Sequence, residues 1–222
     1  MLVSCCVAIV SAQERVLEKA EFEALVAEGG IHPFRWKDEK YRMTVTSSSK
    51  LIGRRQTDWA SKMVVEFGPG KETRTVSTSS YGGSAYPTKE TLTLGNWIYS
   101  RTGNDPWTRK EKAPVGAATK GEESTLKVLS SQVEYRFAGQ SSLRNSLAHV
   151  YVKTERQTKY NEKNGETFET DTRTTFWIDA AGMIIKQEFK AETRGKFTSQ
   201  TSVIFEWMLD PSITFTAPEV VP

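Results

Sequence analysis

The sequence predicts a mainly β fold: a curled antiparallel sheet with one N-terminal helix. Three observations predict it. Ser and Thr make up 45 of the 222 residues, and after Pro33 they fall between aromatic and β-branched residues, as in strands with one solvated face. Apolar and polar side chains alternate with a period of two along that stretch. Gly, Asn and Pro punctuate it at short intervals. About nine to eleven strands joined by short turns make an antiparallel meander, and a sheet that long curls or closes.

The helical pattern occupies residues 14–28. Val16, Ala20, Ala24 and Ala27 share a stripe flanked by Leu17 and Leu25, and Gly29-Gly30 ends it. Such a helix covers a sheet. Tyr41, Met43 and Val45 then alternate with Arg42, Thr44 and Thr46. Met63, Val65 and Phe67 repeat the pattern up to the turn Gly68-Pro69-Gly70, and residues 71–80 alternate around Val76. Leu92 and Leu94 run through Gly95-Asn96 into Trp97 and Tyr99, a tight hairpin. Gly103-Asn104-Asp105-Pro106 makes the next turn. In the second half Val133, Tyr135 and Phe137 alternate. So do Ala148, Val150 and Val152, which puts His149 on the polar face. Asn164-Gly165 and Asp179-Ala180-Ala181-Gly182 are turns, and between them Thr172, Thr174, Phe176 and Ile178 share a face. The closing strand sets Phe197, Ser199, Thr201, Val203, Phe205 and Trp207 on one face and ends at Asp210-Pro211. Residues 81–90 and 111–124 read as loops. No linker divides the body, so residues 13–222 form one domain.

Composition excludes several function classes. The 30 basic and 27 acidic side chains are spread along the chain, and no basic block points to nucleic acid. Both cysteines, Cys5 and Cys6, precede the body, which removes disulfides, cysteine nucleophiles and thiolate metal sites from it. Two histidines, His32 and His149, are too few for a histidine-rich metal site, and no Gly-x-Ser-x-Gly elbow occurs. The carboxylate pairs Asp38-Glu39 and Glu122-Glu123 are sequence neighbours that point apart. A non-enzymatic protein with no metal and no cofactor is expected.

Residues 1–12 are uncharged and mostly apolar. As a helix they span only ~18 Å, too short for a bilayer core. Val10-Ser11-Ala12 ahead of Gln13 offers the small residues a signal peptidase requires. The segment reads as an export signal, which places the body in the periplasm or outside the cell. The alternative is a lipobox, Leu2-Val3-Ser4-Cys5, with Cys5 as a lipid anchor. No membrane span is expected.

Three further segments carry a family resemblance. One is Gly95-Asn96-Trp97-Ile98-Tyr99-Ser100-Arg101, followed by a polar turn and Trp107-Thr108-Arg109-Lys110. The second is Phe176-Trp177-Ile178-Asp179-Ala180-Ala181-Gly182-Met183-Ile184-Ile185-Lys186. The third is Asp210-Pro211-Ser212-Ile213-Thr214-Phe215-Thr216-Ala217-Pro218. In these the chain resembles the LolA/LppX-type family of periplasmic lipoprotein-localisation factors and lipid carriers. The resemblance implies an open half-barrel, its mouth covered by loops or short helices and its interior holding acyl chains. The family's interior arginine would correspond to Arg42, and the chain departs from the family in having no clear second lid helix, the loop 111–124 being the candidate for it.

The expected ligand is therefore hydrophobic or amphiphilic: lipid, or the acyl chains of a lipoprotein. The strand alternation nominates Met43, Val45, Val65, Phe67, Tyr99, Tyr135, Phe137, Val150, Ile178, Ile185, Val203 and Phe205 as the cavity wall. The rival expectation is a protein-interaction or sensor module of the same fold, with a packed interior and another envelope protein as partner.

Overall fold

The computed structural model describes residues 14–28, 39–53, 57–112, 126–144 and 146–220. The proposed export signal, Cys5, His32, Asp38 and the cover at 113–124 lie outside the described residues.

Among the described residues, thirteen strands form one antiparallel sheet. They are β1 (Arg15–Leu17), β2 (Tyr41–Ile52), β3 (Thr57–Phe67), β4 (Thr73–Tyr81), β5 (Ser84–Ala85), β6 (Lys89–Leu94), β7 (Trp97–Thr102), β8 (Thr108–Glu111), β9 (Leu126–Leu143), β10 (Ser146–Asn161), β11 (Glu166–Ile178), β12 (Ile184–Arg194) and β13 (Thr198–Leu209). The helix is α1 (Lys19–Glu28). The sheet order is β1-β9-β10-β11-β12-β13-β2-β3-β4-β6-β7-β8, with β5 on β4. The sheet is open, with β1 and β8 at its edges. Two meanders, β2–β8 and β9–β13, meet at the β13–β2 seam.

Strand alternation fixes two faces. Tyr41, Met43 and Val45 on β2 pair with Leu209, Trp207 and Phe205 on β13 and with Phe67, Val65 and Met63 on β3. On the same side, Phe176 pairs with Tyr151 and Tyr151 with Phe137. Of these, Tyr41, Trp207, Phe176 and Tyr151 form the core together with Ile178 and Ile184, and Met43, Phe67, Phe137 and Phe205 pack against it, whereas Leu209 is exposed. Tyr41 stacks on Phe67 with ring centroids 4.4 Å apart, and burial pushes its hydroxyl pKa up to about 12. α1 closes this side at one end of the sheet. Its Phe22 lies 4.7 Å from the Tyr135 ring and 5.8 Å from Phe176, centroid to centroid.

Several details depart from the sequence reading. The helix is shorter than residues 14–28, because Arg15–Leu17 pair with Phe137–Tyr135 as an edge strand. That changes the buried stripe: Leu17 and Phe22 are buried, while Val16, Ala20 and Ala24 face solvent. The supposed loop 81–90 contains β5 and the start of β6. Gly95-Asn96 forms the expected two-residue hairpin, with Leu94 opposite Trp97. Gly95 adopts φ +55°, and open space surrounds the position of a Cβ. Strain without a clash predicts that Gly95→Ala costs about 1–2 kcal/mol. Chemical denaturation checks this; a neutral result would mean that the turn relaxes.

Candidate functional site

The site follows from a size gradient along the core face. On β2 the sequence runs Tyr41, Met43, Val45, then Ser47 and Ser49. On β13 it runs Trp207, Phe205, Val203, then Thr201 and Ser199. On β11 it runs Ile178, Phe176, then Thr174, Thr172 and Thr170. The large side chains fill the half covered by α1. The small ones leave space in the other half, and a cleft of about 1050 Å³ occupies it. That volume lies just above the roughly 300–1,000 Å³ typical of small-molecule sites.

Three consecutive residues from each of seven strands line the cleft. The middle residues form a single rung: Trp59, Ser49, Thr201, Ala191, Thr172, Glu155 and Val133, each opposite the next. This rung faces the same side as the core. That strands as far apart as β3 and β9 line one cleft shows that the sheet curls toward this side, which is its concave face.

The rung is neutral except at Glu155. Hydroxyl groups of the rung are bonded, Thr201 donating to Ser49 at 3.4 Å and Thr172 to the Glu155 carbonyl at 3.3 Å, and on the same face beyond the rung Ser47 pairs with Ser61 at 2.8 Å and Thr170 with Thr193 at 3.3 Å. Glu155 lies 3.1 Å from Lys153 Nζ and accepts from Ser131 Oγ at 3.2 Å and from Gln157. Burial pushes its carboxyl pKa up, but these three donors outweigh burial and hold it below the usual range. The charge is therefore satisfied within the wall.

The convex face carries two ion ladders. Asp210, Glu66 and Glu90 alternate with Arg42, Arg74 and Arg101 across β2, β3, β4, β6 and β7. Arg101 in turn covers the Trp107 ring at 4.8 Å. Arg42 is thus on the convex face, paired with Glu66 and Asp210, and not in the interior. A second ladder joins Arg156 to Asp171 at 2.7 Å and Asp171 to Arg194 at 2.8 Å. The Arg156 hydrogen bond holds the Asp171 carboxyl below the usual carboxylate range, and the Arg194 bond does the same for Glu192.

These depressed carboxylates set a pH dependence. As pH falls through the ordinary carboxylate range, about 4, the unfolded chain takes up protons before the folded one. Stability present above that range is lost below it. Melting temperature should fall as pH is lowered from 5 toward 3 (roughly the span in which such groups titrate). The fall should be shallower in Asp171→Asn; an identical slope would show that the ladder contributes nothing.

The twelve nominated wall residues are distributed differently from expectation. Met43, Val45, Val65, Phe67, Tyr135, Phe137, Ile178, Val203 and Phe205 lie on the concave face, in or toward the packed half. None of the twelve is among the residues lining the cleft. Tyr99 pairs with Leu92, which pairs with Arg74, so the register carries it to the convex face. Val150 pairs with Trp177 on the convex face, while His149 takes the concave side, 5.9 Å from the Phe137 ring. The register shift between Trp177 and Ile178 sets Ile184, not Ile185, opposite Ile178 and into the core. Sequence reasoning missed the small residues of the rung. Their signal was present: Ser47, Ser49, Thr201 and Ala191 continue the phase of the large apolar residues.

Among the described residues no helix is long and apolar enough to cross a membrane. No protein-family model and no curated protein matches the sequence. Among solved structures the chain is similar to a LolA superfamily protein from Nitrosomonas europaea. The identity is 7% and the TM-score 0.30, over 85% of this chain and 93% of that one. It is also similar to a DUF1329 family protein from Desulfovibrio piger, at 8% identity and a TM-score of 0.25, over 88% of this chain and 94% of that one.

Proposed function

We propose that this protein binds a hydrophobic or amphiphilic ligand, a lipid or the acyl chains of a lipoprotein, in the concave cleft, and that it does so without chemistry, as an exported protein of the periplasm or the cell exterior. The observation that carries the reading is the cleft of about 1050 Å³ left where the concave face changes from large to small side chains. An acyl chain entering it gains about 0.8 kcal/mol per buried methylene. The rung hydroxyls of Thr201 and Thr172 already donate to Ser49 and to the Glu155 carbonyl, so an apolar guest leaves both donors bonded. The apolar rim residues Trp59 and Val133 are exposed, which suits a ligand with a long apolar part.

The test is a titration of delipidated protein with a fluorescent fatty acid, alongside native mass spectrometry of protein purified without delipidation. Saturable binding at one site, displaced by unlabelled lipid, is expected. Protein that carries no lipid and shows no saturable probe binding would favour the interaction or sensor module instead.

A further inference from the structure

The exposed apolar side chains are unevenly placed. Leu51, Ile52, Tyr81, Tyr86, Leu129 and Phe197 are all exposed, Tyr86 and Leu129 by more than half at 54% and 55%. They gather at one end of the sheet, where β2 turns to β3, β4 to β5 and β6, and β12 to β13, and where β9 begins. The opposite end holds the packed core and α1. Phe197 lies against Gly53, so closely that a Cβ there would stand 2.8 Å from its ring. Two neighbouring hairpin tips thus form one patch. The cleft reaches this end too, since Trp59 lines it and pairs with Tyr81.

We infer that this end of the sheet docks on a lipid bilayer and seats the mouth of the cleft against it, so that an amphiphile passes between bilayer and cleft. The inference rests on the ligand-binding reading above and names where the ligand comes from. The apolar groups sit on separate hairpin tips, which suits shallow insertion into an interface. Tyr81 and Tyr86 bring rings with an apolar body and a polar tip, the kind that settle at headgroup depth. Lys196 Nζ lies 6.0 Å from the Phe197 ring centroid, placed to stay in the headgroup layer while the ring inserts. Backbone donors at the β4–β5 and β12–β13 tips are already bonded: Gly82 N to Asp58 O at 2.8 Å, Tyr86 N to Ser79 O at 2.9 Å, Gly195 N to Phe197 O at 3.1 Å. Shallow insertion of these two tips therefore leaves those backbone donors satisfied.

The test uses the full chain and phosphatidylcholine vesicles in a sedimentation assay. The wild type should partition onto vesicles. Ile52→Ser/Leu129→Ser/Phe197→Ser should partition at least about tenfold more weakly, because interfacial binding scales with buried apolar area. Leu147→Ser/Met208→Ser, exposed at the opposite end, should match the wild type. If the triple variant melts early, Phe197→Ser alone carries the comparison. A wild type that stays in solution, or a tip variant that binds like it, overturns the inference. Titration with the fatty acid in vesicle-free solution separates the two ideas: the tip variant should bind it normally. Loss of probe binding in the wild type overturns the ligand reading, whereas loss of sedimentation alone overturns the docking.

Discussion

Ala191→Trp should abolish most ligand binding while leaving the fold intact. Ala191 sits on the cleft floor between Thr201 and Thr172 and is partly exposed. An indole there projects into the cleft. A ring that displaces three or four methylenes of a guest removes about 2–3 kcal/mol, roughly fifty-fold in affinity. Lys62→Trp is the matched control. Lys62 is exposed, does not line the cleft and alternates with the concave residues Ser61 and Met63 on β3, so its side chain points to the convex face. Its variant should bind the fatty acid as the wild type does. Equal affinity in both variants would place the ligand elsewhere.

Phe22→Ala is expected to have the largest effect on stability. α1 has ten residues, too few to hold its shape without docking. Its hold on the sheet is Phe22, 4% exposed, set between Tyr135 and Phe176, with Leu25 packed beside it. Truncating a buried phenylalanine of this kind costs about 3–5 kcal/mol, because the apolar transfer energy is lost and a cavity remains. Urea unfolding should show the unfolding free energy fall by that amount, read as a lower midpoint at unchanged slope. Ala20→Ser, on the exposed side of the same helix, should change it little. A loss under about 1 kcal/mol in Phe22→Ala would mean that α1 contributes little to the core.

How much of this was legible in the sequence depends on which physical rule set each feature. Local rules read well. The phases Tyr41-Met43-Val45 and Met63-Val65-Phe67, and the hairpin at Gly95-Asn96, depend only on neighbours in the chain. Non-local choices did not read. Arg15–Leu17 has helical composition, yet its pairing with β9 decides its state. His149 and Val150 exchange faces relative to expectation because partner strands, not residue polarity, fix the register of β10. One extra residue in β12 opposite the end of β11 hands the core position from Ile185 to Ile184. The cleft was hidden for a different reason. Serine and threonine in a strand look like a solvated face, and only the phase they share with large apolar neighbours shows that they line an interior.

The β13–β2 seam has a kinetic consequence. It joins residues as distant in sequence as Ser49 and Thr201, which are 152 positions apart and meet mid-sheet. Each flanking meander closes through short turns, but the seam must wait for a long loop to close, the slow step in non-local topologies. The hollow has strands of both meanders in its wall, so it cannot close before the C-terminal strand β13 is present to pair with β2.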